Sequence, residues 1–224
     1  MRILVVAPHP DDETLGVGGA LLRYRSEGHS IGWLIVTDVP ADYGWSVEQH
    51  KNRESQISKV SDALGFEKVY RLKMPSTKLD TIPSVEIISK IREVVVDFEP
   101  TDIFIPHHGD AHTDHYIANK ATLSCAKSFR AKCVERVLAY ETLSETEFGV
   151  YPESSFVPNT FVDISGFLNE KLNVLSVYES EMGEFPFPRS NEAITALARL
   201  RGSTGGFQAG EAFQLLRQYD PIKG

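Results

Sequence analysis

The chain has 224 residues, 42% of them hydrophobic, which suits one α/β domain with a sizeable core. Its formal charge of −8 comes from 31 acidic and 23 basic residues mixed along the chain. No Lys/Arg block offers the footprint that nucleic acid or an anionic membrane surface requires. The two cysteines, Cys125 and Cys133, have neither C-x-x-C spacing nor the density of a disulfide framework.

Residues 3–7 read as a short buried strand, and residues 15–25 as a helix that ends near Gly28. The opening apolar run is too short for a signal-peptide core, and nothing approaches the roughly 18 apolar residues of a membrane span. A soluble cytoplasmic protein is therefore expected. A strand at 30–37 precedes a helix at 48–64, for which Gly65 is the expected C-cap. Next come a strand at 68–72, a helix at 85–98, a strand at 102–106, a helix at 116–129 and a strand at 136–140. This alternation is the signature of βαβ units. The expected fold is α/β: a Rossmann-like, doubly wound, mostly parallel sheet with helices on both faces, in one domain over residues 1–224.

Beyond Glu141 the pattern loosens. Residues 144–158 form a long connection, 160–163 a short strand, 164–178 a helix, 182–188 a proline-bearing loop, 192–200 a helix and 211–216 a last strand. There are no internal repeats and no low-complexity tracts.

Two loops carry the chemistry. The first strand runs into Pro8-His9-Pro10-Asp11-Asp12-Glu13-Thr14, at the carboxyl edge where open α/β sheets bind ligands. The prolines stiffen this loop, and Pro10 keeps His9 out of the α region. His9 and Asp12 can then fold toward one point while Asp11 takes another direction. The second loop follows the fourth strand and reads His107-His108-Gly109-Asp110-Ala111-His112-Thr113-Asp114-His115. In a sheet of order 3-2-1-4-5 the first and fourth strands are neighbours, so His112 or His115 comes to His9 and Asp12. Two imidazoles and one carboxylate leave an open position on a metal, as catalytic zinc sites do. Five of the seven histidines lie in these two loops.

Ala7-Pro8-His9-Pro10-Asp11-Asp12-Glu13 resembles the A-H-P-D-D-E signature of the PIG-L/LmbE-like N-acetylglucosaminyl deacetylases, with one extra proline before the histidine. His112-Thr113-Asp114-His115 resembles their downstream H-x-D-H. Arg53-Glu54 with Ala63-Leu64-Gly65 is similar to a further family pattern, as are Arg199-Leu200-Arg201-Gly202 and Gly210-Glu211-Ala212-Phe213. The resemblance implies His9, Asp12 and His115 as ligands of Zn²⁺, with Fe²⁺ or another divalent ion as the alternative. It implies Asp11 as the general base toward water activated by that metal. His112, supported by Asp114, would polarise the amide carbonyl or stabilise the oxyanion, and Arg53 would contact sugar hydroxyls or a phosphate. The implied activity is hydrolytic removal of an acetyl or other acyl group from the nitrogen of a glucosamine-like sugar or conjugate. Such a small-molecule N-acyl amino sugar would be the partner. Which sugar, and whether the chain forms a homo-oligomer, the sequence leaves open.

Simpler readings stand beside these. Asp12 and Asp114 are also candidates for helix N-caps. His107 and His108 read as loop residues, at most one of them supporting the site, and His29 and His50 as surface residues. Arg53 is as well suited to an exposed pairing with Glu54 or Glu48 as to substrate. Tyr43 and Trp45, after the second strand, are placed either to stack on a sugar ring or to pack on their loop. Phe185 and Phe187 raise the same question. Among rival functions, a dinucleotide module needs G-x-G-x-x-G at the first turn, where His9 to Glu13 stand instead. A non-haem iron oxygenase shares the ligand types but not the βαβ pattern. An amidase of a larger sugar-containing conjugate, and a non-catalytic metal- or sugar-binding domain, also fit; the second has no need of Asp11.

Overall fold

The computed structural model describes residues 1–39 and 44–220. Five parallel strands form the body of the sheet: β1 (Arg2–Ala7), β2 (Ser30–Asp38), β3 (Lys68–Pro75), β4 (Asp102–Pro106) and β5 (Arg136–Tyr140). With β6 (Thr160–Asp163) and β7 (Gly210–Gln218) the order is β3-β2-β1-β4-β5-β7-β6. β7 runs antiparallel to both β5 and β6. The expected mostly parallel sheet is thus present, and the looser C-terminal third supplies its antiparallel edge.

Side chains alternate across β1. Ile3, Val5 and Ala7 face a core shared with α1 (Asp12–Ser26), α2 (Val47–Leu64), α5 (Leu168–Leu175) and α6 (Asn191–Gly205). Leu4 and Val6 face α3 (Ser84–Phe98) and α4 (Thr113–Cys125) on the other side. A central strand buried on both faces must be apolar throughout, and β1 is. Among the described residues no helix is long and apolar enough to cross a membrane.

α1 is buried over most of its length, and its glycines are the reason it fits. A Cβ at Gly16 would stand 2.2 Å from the Tyr140 ring, and one at Gly19 2.7 Å from Ile164 Cδ1. The Glu211 carboxylate accepts the Gly19 and Ala20 amides at 2.9 and 2.8 Å. Lys171 Nζ donates to the Leu15 carbonyl and to Glu211, both at 2.7 Å. The Gly210–Phe213 motif therefore fastens the helix that carries Asp12.

Several boundaries differ from the sequence expectation. α1 begins at Asp12 and α4 at Thr113, three residues earlier than expected in each case, so Asp12, Asp114 and His115 lie in first helical turns and not in loops. α4 ends at Cys125, not 129, because Phe129 is exposed and gives no burial to extend it. α5 is confined to Leu168–Leu175 within the expected 164–178. α6 continues to Gly205, past the expected end at 200, and β3 continues to Pro75.

Candidate active site

α1 follows β1 and α4 follows β4, and these strands are adjacent, so the two helix N-termini converge beyond the carboxyl edge of the sheet. Their partial positive ends favour carboxylates in the first turn, where Asp12 and Asp114 stand. Thr37 fastens the first loop: its amide and hydroxyl both donate to the Pro8 carbonyl, at 3.0 and 2.8 Å.

His9, Asp12 and His115 offer donor atoms that all lie within 4.8 Å of one another. His9 Nδ1 and His115 Nε2 are each 3.3 Å from Asp12 Oδ2. Donors at ~2.0–2.1 Å from a tetrahedral zinc are about 3.4 Å apart, so both separations fit one ion. The opposite nitrogens are tied to carboxylates: His115 Nδ1 lies 2.7 Å from Asp110 Oδ2, and His9 Nε2 lies 3.1 Å from Asp114 Oδ2. A carboxylate behind each ring, with the other ring nitrogen facing Asp12, is the arrangement that orients metal-ligating histidines. Although burial opposes it, the His115 and His9 imidazoles hold Asp12 well below the usual carboxylate range. Burial likewise opposes protonation of the imidazoles, yet bonds to Asp114 and Asp12 raise His9 to about 9, and Asp12 and Asp110 raise His115. The donor set calls for positive charge at its centre, which a divalent cation satisfies.

Asp11, not Asp12, is the N-cap of α1, and it does not cap with its side chain. Its backbone adopts φ 138° and ψ −30°, a conformation L-residues rarely take and one that costs about 1–3 kcal/mol. The Glu13 carboxylate holds this strain by accepting the Asp11 amide at 3.0 Å, and itself receives the Thr14 and Tyr178 hydroxyls at 2.6 and 3.0 Å. The Asp11 carboxylate is thereby freed for the cleft. Burial first, then the neighbouring Asp12 and Glu181 carboxylates, push it well above the usual range, against the pull of Arg189.

His112 is the N-cap of α4, a place the sequence suggested for Asp114. Its Nδ1 accepts the Asp114 amide at 3.1 Å, so the neutral ring carries its proton on Nε2. Burial, with His9 and His115 nearby, lowers His112 to about 4, which keeps the ring neutral. His112 and Asp114, which the resemblance pairs, meet through that amide. The Asp114 carboxylate is committed to His9 and to the Thr77 and Leu79 amides, at 2.7 and 3.3 Å.

His9, Asp11, Asp12, His112 and His115 line one cleft of about 290 Å³, together with Asp38, Trp45, Arg53, Thr142, Glu145, Glu181 and Arg189. Arg53 is not paired with Glu54 or Glu48 on its own helix. Its guanidinium donates to the Pro10 carbonyl at 2.9 Å and to Glu181 at 2.5 Å, under the Trp45 ring at 5.5 Å; Glu54 binds Arg71. Tyr43, the other expected aromatic contact, lies outside the described residues. His107 is more than a loop residue: it is buried, and its Nε2 meets the Ser154 carbonyl at 2.6 Å.

The GlcNAc-PI de-N-acetylase model (PIG-L) matches residues 4–126, more than half of the chain and the whole of both loops. The chain belongs to the PIG-L family. Diacetylchitobiose deacetylase of Thermococcus kodakarensis is 25% identical to this PIG-L protein over 96% of its chain and 83% of the relative. The crystal structure of a conserved Thermus thermophilus protein, TT1542, aligns with a TM-score of 0.77 at 29% identity, covering 99% and 98% of the two chains. A 4-carboxy-2-hydroxymuconate hydratase from Pseudomonas putida shares the fold at 17% identity, with a TM-score of 0.75 and coverage of 99% and 98%. The fold alone therefore does not name the reaction.

Residues the sequence did not single out also stand at the candidate site. Asp110, in the quoted histidine run but without a role there, orients His115; Thr146 Oγ1 donates to its other oxygen at 2.7 Å. Glu181 and Arg189 come from a segment that no local pattern connects to Asp11, 178 residues away from Arg189.

Proposed function

We propose that this protein is a zinc-dependent N-deacetylase that hydrolyses the acetamide of a glucosamine-like sugar or conjugate. One observation carries this reading: a donor triangle of His9, Asp12 and His115 in one cleft with a spare buried carboxylate, Asp11, and a neutral imidazole, His112. His9, Asp12 and His115 would hold Zn²⁺, or Fe²⁺ in its place, which when bound would supply a Lewis acid and lower the pKa of water to about 7.

Asp11 accepts a proton from the attacking water as its oxygen adds to the amide carbon. The same carboxyl then returns that proton to the nitrogen as the C–N bond breaks, giving acetate and a free amine. His112 donates from Nε2–H to the carbonyl oxygen as negative charge builds there, a contribution typically of about 3 kcal/mol. Asp114 fixes His9 and, through its amide, the His112 tautomer. Arg53 and Trp45, at the cleft rim, contact the sugar, with Tyr43 on the neighbouring stretch of chain. The PIG-L family membership and the deacetylase named among the relatives support amide hydrolysis over the hydration chemistry of the hydratase neighbour.

The test is acetate release by zinc-reconstituted protein across N-acetylglucosamine, N,N'-diacetylchitobiose and glucosaminyl conjugates, with Asp11→Ala as control. Release that disappears in the variant supports the reaction. A metal-loaded protein that releases nothing from any substrate sinks it and leaves a larger conjugate or a binding role.

A further inference from the structure

Asp11 needs something to aim it. Its carboxylate does not cap α1, its backbone is strained, and χ1 rotation would carry its oxygens away from the water it must reach. The side chain that meets it is Arg189, with NH1 3.2 Å from Oδ2. The other arm of that guanidinium faces Glu181 at 3.6 Å, and Glu181 binds Arg53 NH2 at 2.5 Å. Arg53 closes the circuit by donating to the carbonyl of Pro10, the residue before Asp11. The chain of ions Asp11–Arg189–Glu181–Arg53 thus begins and ends on the same loop.

Both ends of the segment that brings Glu181 and Arg189 are anchored. Glu181 donates its amide to the carbonyl of Tyr178, whose hydroxyl is held by Glu13. Arg189 is followed by buried Ser190, the N-cap of α6, whose hydroxyl accepts the Ala193 amide at 3.1 Å. Phe187 packs on the guanidinium, 5.6 Å from ring centre to Cζ. The geometry is that of a brace built from the C-terminal third of the chain.

We propose that Arg189 is a positioning residue that sets the direction of the Asp11 carboxylate, and that Glu181 holds Arg189 and Arg53 together for that purpose. This rests on the reading of Asp11 as proton acceptor. A general base must lie within about 2.6–3.2 Å of its proton's donor atom, and a misplacement near 1 Å can cost about 10²-fold in rate.

Two measurements on the full-length, zinc-loaded protein test it. In kinetics, Arg189→Ala should lower kcat by about 10²-fold with KM nearly unchanged and zinc content intact. Added guanidinium ion should restore part of the rate to that variant and none to Arg189→Lys. Glu181→Gln should show a smaller loss, again in kcat. A rise in KM with kcat retained would make Arg189 a substrate contact and overturn the proposal. The second measurement is a double-mutant cycle in thermal unfolding with Asp11→Asn and Arg189→Ala. Tm shifts that fail to add in the double variant support the pairing; additive shifts overturn it. The cycle decides even if no substrate is turned over, so a failed deacetylase reading and a failed brace remain distinguishable.

Discussion

Asp110 holds His115 by its rear nitrogen: Nδ1 lies 2.7 Å from Oδ2, and both residues are buried. The interaction leaves His115 Nε2 facing Asp12, 3.3 Å from its Oδ2. Asp110→Ala removes the group that fixes tautomer and ring angle without removing a ligand. Zinc affinity should fall about 10–100-fold, measured by competition with a chromogenic chelator. Unchanged affinity would mean that His115 does not depend on Asp110 for its orientation and would weaken its assignment as a ligand.

The donor triangle should also carry stability. Metal at about 100 times its Kd adds roughly 2.7 kcal/mol to the folded state, or about 5–10 °C in Tm for a chain of this size. Chelation should reverse the shift. His115→Ala, which loses a donor, should show little of it, whereas Asp11→Ala should keep it. Thermal melts with zinc and with chelator check this, and a wild-type Tm indifferent to both would remove the metal from the site.

The sheet was legible because buried parallel strands such as β1 are uninterrupted apolar runs, and the 3-2-1-4-5 order is one of the two common for such βαβ-spaced elements. That order alone brought His9 and Asp12 to the histidine run. Helix starts were not legible at α1 and α4. Apolar spacing marks a helix only where it packs, and the first turns here are Asp12-Glu13-Thr14 and Thr113-Asp114-His115, which carry no apolar residue to show the period. Nor was the extension of α6 through Arg201–Gly205, because its signal is contact and not periodicity: Gly202 meets the Ala209 and Phe207 backbones, within 2.8 Å of where a Cβ would sit. Arg189 was hidden for a related reason. Its partner is set by how the segment between Tyr178 and Ser190 crosses the cleft, which no window of sequence contains.

Close packing of α1 on β5 gives a third prediction. A Cβ at Gly16 would enter the Tyr140 ring, and that ring cannot swing aside, being fully buried with its hydroxyl on the Val6 carbonyl at 2.9 Å. Gly16→Ala should cost at least about 1–3 kcal/mol through overpacking. Gly28→Ala meets no atom within 4 Å, but its φ of +81° is unfavourable for alanine, at about 1–2 kcal/mol. Urea denaturation should rank Gly16→Ala as the more damaging and show lost activity only there. The reverse order would mean that the helix can lift off the sheet cheaply.

The Lys171–Glu211 pair is buried, but its partners are unequally provided for. Glu211 accepts the Gly19 and Ala20 amides as well as the ammonium, whereas Lys171 has Glu211 and the Leu15 carbonyl. Lys171→Met therefore leaves a carboxylate that still has two amide donors. Glu211→Leu leaves a buried ammonium with one neutral acceptor and takes the Glu211 acceptor from both amides. Breaking a buried pair from one side costs about 3–5 kcal/mol, and leaving a buried donor unsatisfied about 1–3 kcal/mol. Glu211→Leu should thus destabilise more than Lys171→Met, with Glu211→Gln between them because an amide oxygen can still accept. Urea midpoints for the three variants give the ranking directly. If Lys171→Met proved the most damaging, the ammonium and not the carboxylate would be the group that fastens α1, and the Leu15 carbonyl would be the contact that matters.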